Sequence, residues 1–503
     1  MSEPFYVTTA ISYPNGPPHI GHAYEAIAAD AIARFQRSQG RDVHFQTGTD
    51  EHGLKMAQAA RGEDIEPRAF ADRMSLLFQQ MCDTLNVSYD RFIRTSQPDH
   101  YRASQAIWTA MEERGDLYLD RYEGWYSVRD EAYYEPDELT NAEDGCKLSP
   151  QGTPVEWTVE ESWFFRLSKY QQPLLDHYAA NPDFIMPESR RNEVVRFVEG
   201  GLKDLSISRT SFDWGVPVPG SDNHVMYVWL DALTNYITGL GYPDDTELWR
   251  RYWPANVHLI GKDVVRFHAV YWPAFLMSAD IALPKQVYGH GFLLSRGEKM
   301  SKSVGNVVDP MVLAERFGVD ALRYFLLREV PFGQDGSYSA EAIVARANAE
   351  LANSFGNLVQ RTLSMIHKNL DGVIPSPGEA GGDLELLAVV EEATKKEVPE
   401  AFDRFAFSVG IDTWLRAVFA CNAYVDTQAP WALRKTDPKR MAAVLGTLVV
   451  AVRELTRAIA PIIPESADKL LTLIDAGEGG APITQPTPLF PRLELPEDEE
   501  AAA

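Results

Sequence analysis

Residues 12–40 read SYPNGPPHIGHAYEAIAADAIARFQRSQG, and the fold turns on how this stretch divides. Asn15-Gly16, set between prolines, ends the strand-like run PFYVTTAISY of residues 4–13. Beyond the prolines Tyr24, Ile27, Ala31 and Phe35 recur with helical spacing until Gly40 closes the pattern. DVHFQTGTDEHG, residues 42–53, then reads as a second strand running into a polar, glycine-punctuated turn. Strand, helix, strand in this order predicts a parallel α/β layer of the nucleotide-binding kind. The G-x-G-x-x-G and G-x-x-x-x-G-K-[ST] turns are both missing, and two histidines open the helix instead.

His19 and His22 have three readings: surface residues, a metal pair, or anion binders. A zinc site needs further ligands and an orienting outer shell, for which His44 and His52 are the candidates. A helix N-terminus favours anions, and two imidazole N–H groups placed there can grip a phosphate. Gly21 between them lets a flat nucleotide ring approach the backbone closely.

The remainder of the chain changes texture several times. With 503 residues, two to four domains are expected. Hydrophobic residues make up 45%, as in an ordinary packed protein, and no apolar run is long enough to span a bilayer. Cys82, Cys146 and Cys421 lie too far apart for a disulfide framework. A soluble cytoplasmic protein is expected. The formal net charge of -25 argues for small-molecule chemistry over phosphate-backbone binding, although a local basic patch remains compatible with it.

From residue 115 short aromatic and acidic runs, GDLYLDRYEGWYSVRDEAYYEPDEL and CKLSPQGTPVEWTVEESWFFRLSKY, suggest an inserted unit of β character. The α/β texture returns at VMYVWLDALTNYITGLGY, and amphipathic helices predominate after Ser303 up to a Gly/Pro-rich, then acidic, tail from Gly477. SRGEKMSKSVGNVVDP, residues 295–310, sets Lys299 and Lys302 beside glycine and serine. Such a run suits a mobile loop closing on a polyphosphate, because lysine is a compact charge that can follow a phosphate.

HIGH at residues 19–22 and KMSKS at 299–303, in this order on an α/β layer, resemble the class I aminoacyl-tRNA synthetases. That resemblance implies a Rossmann-like parallel-sheet catalytic domain with a small β-containing insertion, followed by an all-α helical bundle. His19, Gly21 and His22 would then bind ATP with Lys299 and Lys302, and His19, His22 and Lys302 would be catalytic. The amino-acid carboxylate attacks the α-phosphorus and pyrophosphate leaves, chemistry that rests on positioning and charge stabilisation.

The insert is too short for the editing domain of the isoleucyl, leucyl and valyl enzymes, and three scattered cysteines do not fit the cysteinyl zinc site. Over the whole chain the blocks TGTDEHG, YVWLDALTNYI, HLIGKDVVRFHAVYWPAFLMS and HGFLLSRGEKMSKSVGN resemble the methionyl-tRNA synthetase family. By that resemblance Ala10, Ile11, Tyr13, Trp229, Ala232, Leu233, Tyr236, Val264 and His268 form a methionine pocket, and Asp50 takes the ammonium group. An adaptable apolar slot with aromatic walls suits a thioether, to whose sulfur Tyr13 and His268 could hydrogen-bond. Gly261 and Asp263 would contact the adenosine, the carboxylate on the ribose hydroxyls.

Relatives commonly carry zinc knuckles in the insert. The corresponding positions here are Ser127, Asp130, Cys146 and Ser149, so no zinc or other resident metal is predicted. Mg2+ would accompany ATP. In the helical region the resemblance gives Asn357 and Arg361, with Pro430 and Trp431, an anticodon-binding role, Trp431 stacking on an unpaired base. The expected partners are ATP, L-methionine and tRNA(Met), including initiator tRNA.

The divisions read from the sequence are 1–114 and 214–293 for the two catalytic halves and 115–213 for the insert. Residues 294–348 hold the KMSKS loop and stem-contact region, and 349–503 the anticodon-binding helices with the acidic tail. The dimerising C-terminal domain of some relatives is not expected here, and a monomer is expected. Two rival readings are a class I ligase for another amino acid and a tRNA binder without catalysis; in the second, eroded histidines or a missing Lys302 would be expected.

Overall fold

In the computed structural model, which describes residues 2–127, 129, 132–142, 145–295, 298–299 and 308–495, six parallel strands organise the first half of the chain. They are β1 (Pro4–Thr9), β2 (Asp42–Thr49), β3 (Arg91–Arg94), β4 (Ile185–Met186), β5 (Val257–Gly261) and β6 (Val287–His290), in spatial order β3-β2-β1-β5-β6-β4. Helix α1 (Ile20–Ser38) connects β1 to β2 in the chain. Within the strand-like run of residues 4–13, Phe5 to Thr9 are all buried, as an all-parallel sheet requires. Gly48 has a steric reason to be glycine: a Cβ there would lie 2.0 Å from the Ile93 carbonyl oxygen of neighbouring β3.

The chain builds outward from β1 in one direction to β3, and its later strands, β4 at the far edge and then β5 and β6, lie on the other side of β1. Such a reversal opens a crevice at the carboxyl ends of the strands, where doubly wound sheets bind ligands. Helices α2 (Pro98–Glu113) and α3 (Val228–Thr238) belong to this first unit, which comprises residues up to Pro18, Gly40–Cys82 and Ser88–His290. The insert is β-structured, as its texture predicts. Leu117–Ser127 pairs antiparallel with Glu156–Phe165 along ten residues, flanked by Ala132–Tyr134 and Leu205–Ser206. Trp125 lies opposite Trp157 with ring centroids 5.4 Å apart, a cross-strand aromatic pair.

The second unit comprises His19–Gln39, Asp83–Val87 and the chain from Gly291 onward. Helix α1 belongs here, a grouping that the sequence divisions do not contain. Its apolar stripe of Tyr24, Ile27, Ala31 and Phe35 is buried, with Phe35 edge-on to Phe402. Further helices of this unit include α4 (Val319–Arg328), α5 (Asn357–Asn369), α6 (Phe407–Gln428) and α7 (Pro438–Ile459). Trp414 of α6 is fully buried, and its indole N–H donates to the Leu455 carbonyl of α7 at 2.9 Å.

The segment that reads as a Gly/Pro-rich tail is docked as far as Leu493. Ile483 bonds Gly372 through the backbone, Phe490 meets Phe355, and Asn348 exchanges two hydrogen bonds with Leu493. The Asn348 side chain, the Phe355 ring and the Gly372 backbone hold a segment that lacks regular structure of its own. No helix among the described residues is long and apolar enough to cross a membrane.

Candidate active site

The chain leaving β1 forms the floor of the crevice. Ala10 donates its backbone N–H to Leu259 at 3.0 Å and Ser12 to Gly48 at 2.9 Å, so residues 10–13 are held from both neighbouring strands. Asp50 returns the link by donating to the Ser12 carbonyl at 2.9 Å. This places Ala10, Ile11, Tyr13 and Asp50 around the strand exits where the topology reverses.

The wall comes from α3 and the helical turns after β5. Ala10, Tyr13, Trp229 and Val264 are half-buried against the core cluster that contains Leu233 and Tyr236, and Ala232 and His268 are buried. Trp229 stacks on Phe267, centroids 3.8 Å apart and planes 6° from parallel. His268 sits in a wide π turn, Phe267–Tyr271, of the sort found at functional sites. Its Nδ1 faces the Val264 carbonyl at 2.9 Å and its Nε2 faces the Tyr236 hydroxyl at 2.5 Å. The first contact makes Nδ1 the protonated nitrogen, so Nε2 accepts from Tyr236. Both nitrogens are thus engaged, and His268 orients Tyr236 where the sequence suggested a donor to sulfur. Burial pushes the His268 imidazole down to about 4, only partly opposed by the Val264 carbonyl. A neutral, apolar wall results.

Gly261 ends β5 and Asp263 follows it at the crevice edge. A Cβ on Gly261 would come within 2.8 Å of Asp263 Oδ1, so the carboxylate folds back over the glycine, and Asp263 itself is exposed.

In the second unit, His19 and His22 form a reciprocal cap at the start of α1. His19 Nδ1 accepts from the Gly21 N–H and His22 Nδ1 accepts from the His19 N–H, both at 3.1 Å. The three-residue spacing is that of a capping box, written here with imidazoles. With Nδ1 accepting, the proton of each neutral ring resides on Nε2, an atom able to donate to a phosphate oxygen. Gly21 is needed for this cap, since a Cβ would sit 2.9 Å from the His19 ring.

Of the lysines, Lys302 lies outside the described residues. Lys299 ends the short strand Glu298–Lys299, which pairs antiparallel with Leu293–Ser295, itself parallel to Gly336–Tyr338. Gly291, where this unit resumes, lies flat on the 334–335 loop; a Cβ there would be 2.1 Å from the Gln334 oxygen.

The metal readings of the sequence meet different chemistry. His52 uses its nitrogens on Asp231 at 2.6 Å and Tyr101 at 2.9 Å, and so is no metal ligand; His44 packs between Tyr6 and Tyr252. In the insert the Ser127 and Ser149 hydroxyls both bond the Thr153 hydroxyl, at 2.7 and 2.8 Å, and all three are buried. Cys146 is exposed, and Asp130 lies outside the described residues. Three linked hydroxyls are poor zinc ligands. Among the described residues no group of three or more His, Cys, Asp or Glu could hold a metal ion.

On the helical bundle, Arg361 is brought to Trp431, its guanidinium 5.2 Å from the ring centroid, and donates to Asp426 at 3.1 Å. Trp431 is 51% exposed, unusual for an indole, and Asn357 is exposed on the same helix as Arg361. Pro430 is buried at the first position of its short helix, after Ala429 in a left-handed conformation. It therefore aims Trp431.

Comparison with known proteins gives a consistent neighbourhood. The family model described as tRNA synthetases class I (M) matches residues 5–363, and that of the anticodon binding domain of methionyl tRNA ligase matches 374–487. The methionine–tRNA ligase of Brucella suis is 58% identical over 97% of this chain and 98% of its own length. That of Mycobacterium bovis is 55% identical over 99% of both. Among solved structures, the Mycobacterium tuberculosis methionyl-tRNA synthetase in complex with methionyl-adenylate matches with a TM-score of 0.94 and 56% identity, covering 97% of this chain and 100% of that one.

Proposed function

Because the chain belongs to the methionine–tRNA ligase family of class I tRNA synthetases, we propose that its crevice activates methionine through the residues assembled there. The activity itself is ATP-dependent ligation of methionine to tRNA. The methionine side chain enters between Trp229, Tyr236 and the exit of β1, in a wall that burial keeps neutral. Asp50 receives the ammonium group. The substrate carboxylate is then left to attack the α-phosphorus of ATP, which enters as its magnesium complex, as is general for the class. The new bond forms between a carboxylate oxygen and phosphorus, and pyrophosphate leaves.

His19 and His22 contribute Nε2 donors at a helix N-terminus, suited to the charge that grows on the phosphate oxygens. Lys299 and Lys302 contribute cations to the same oxygens, and Asp263 holds the ribose beside Gly261. The methionyl group passes next to the 3′-terminal ribose hydroxyl of tRNA. Trp431, Asn357 and Arg361 receive the anticodon loop, the indole stacking on an unpaired base. Initiator and elongator tRNA(Met) share this anticodon and are both substrates.

The observation that carries the reading is the reversal at β1, which gathers Ala10–Tyr13, Asp50 and the α3 wall at one strand edge. No structural zinc is needed in the insert, where Ser127 and Ser149 stand at two of the four knuckle positions and both bond the Thr153 hydroxyl. The protein acts as a cytoplasmic monomer. Charging of initiator and elongator tRNA(Met) transcripts with labelled methionine tests the whole reading. Both should be charged; methionyl-adenylate formation without transfer to either would overturn the tRNA half.

A further inference from the structure

Asp50, Glu51 and His52 are consecutive ionisable residues at the exit of β2, and all are buried, Glu51 completely. Burying charge is costly unless each group is paired. The pairs that compensate diverge. Glu51 accepts from Arg94 Nε at 2.7 Å and Nη2 at 3.0 Å, and from the Ser96 hydroxyl, all at the exit of β3. His52 turns the other way, its Nδ1 donating to Asp231 Oδ2 at 2.6 Å. The other Asp231 oxygen meets His100 Nε2 of α2, also at 2.6 Å. Burial opposes ionisation of Asp231, yet the two imidazoles outweigh it and hold its carboxyl at about 2.

Asp231 lies on α3 between Trp229 and Ala232, so this ionic clamp fastens the Asp50 turn directly to the helix that walls the crevice. Apolar residues could fill the same volume, but a carboxylate gripped by two imidazoles also fixes direction. Two oxygens with one short partner each leave a single arrangement of turn and helix.

We propose that Glu51 and His52, acting through Arg94 and Asp231, are positioning residues that set the Asp50 carboxylate at the reach of the methionine ammonium group. This rests on the reading of Asp50 as the ammonium ligand. An ionic contact of this type is lost over about 1 Å of displacement, worth on the order of 10- to 100-fold. The loss falls only on ligands that carry an ammonium.

Two competitors of methionine in pyrophosphate exchange separate the effects: methioninol keeps the ammonium and lacks the carboxylate, and 4-(methylthio)butanoic acid does the reverse. Asp231→Asn should raise the inhibition constant of methioninol by ~10-fold or more and leave that of the acid within about 2-fold. Glu51→Gln, on the opposite anchor, should do the same and serves if Asp231→Asn does not fold. A general loosening of the fold would weaken both inhibitors alike and overturn the proposal. Asp50→Asn is measured in parallel. If it shows no selectivity between the two inhibitors, the reading of Asp50 fails; if it does and the anchor variants do not, the positioning role fails. Combining Asp231→Asn with Asp50→Asn should add no further loss for methioninol, and full additivity would contradict action through Asp50.

Discussion

Arg323→Met should unseat α1 from the helical unit. The guanidinium is completely buried and donates to Asp30 Oδ2 at 2.6 Å and to the Pro461 and Ile462 carbonyls at 3.0 Å each. It also reaches the Leu85 and Asn86 carbonyls at 3.1 and 3.4 Å. Methionine fills much of the volume and donates nothing. Removing one partner of a buried pair costs ~3–5 kcal/mol, and each carbonyl left without a donor adds ~1–3 kcal/mol. Asp30 retains Arg34 Nε at 2.7 Å, which offsets part of its loss. At the low end of each range the loss is about 7 kcal/mol, of which the retained Arg34 contact returns about 2, leaving about 5 kcal/mol. With a urea slope of ~3 kcal/mol per molar, the midpoint followed by circular dichroism should fall by roughly 1.5 M. Asp30→Asn in the same background should add little, because its partner is already gone. A midpoint drop below about 0.3 M, or additive losses in the double variant, would refute the view that this buried pair anchors α1.

Three further outcomes follow from particular groups. His268 is neutral when folded down to about pH 4, whereas the unfolded chain protonates near its ordinary value of about 6.5. The unfolded state therefore binds the extra proton within that window, and stability should fall by roughly 3 kcal/mol as pH drops from about 6.5 to 4. His258, lowered in the same direction by burial, adds to the trend. Urea midpoints between pH 6 and 5 should flatten in His268→Asn; an unchanged slope would contradict a buried neutral imidazole. Trp431→Ala should leave pyrophosphate exchange intact while kcat/KM for tRNA charging falls on the order of 10- to 100-fold, the value of ~1–3 kcal/mol of base stacking. Equal loss in both assays would place the damage in folding. Elemental analysis of the purified protein should find well under one zinc per chain with charging undiminished, and a stoichiometric zinc would overturn the hydroxyl replacement at Ser127, Ser149 and Thr153.

The parallel layer was legible because its signals are local. Prolines end a strand, a stripe of Tyr24, Ile27, Ala31 and Phe35 marks a helix, and the motif histidines stand at its start. The motifs alone point to ATP; the amino acid came from blocks around Trp229 and His268 whose single residues look like ordinary core. The ionic clamps were not legible. Asp30 sits in an alanine-rich stripe and Arg323 on an amphipathic helix, and either charge in isolation reads as an exposed face. Their partner lies 293 positions away, a pairing that no local pattern encodes. The same holds for His52 and Asp231, 179 positions apart. The grouping of α1 with the later helices was missed for this reason too. The docking of Phe490 and Leu493 was missed because a segment without periodicity carries no signal for the surface it covers.

Amino-acid-dependent exchange of labelled pyrophosphate into ATP, without tRNA and across all the standard amino acids, tests the central claim most directly. Exchange should occur with methionine alone and be abolished by Lys302→Ala. Exchange driven by another amino acid would contradict the methionine pocket, and undiminished exchange in Lys302→Ala would contradict the part given to the KMSKS lysine.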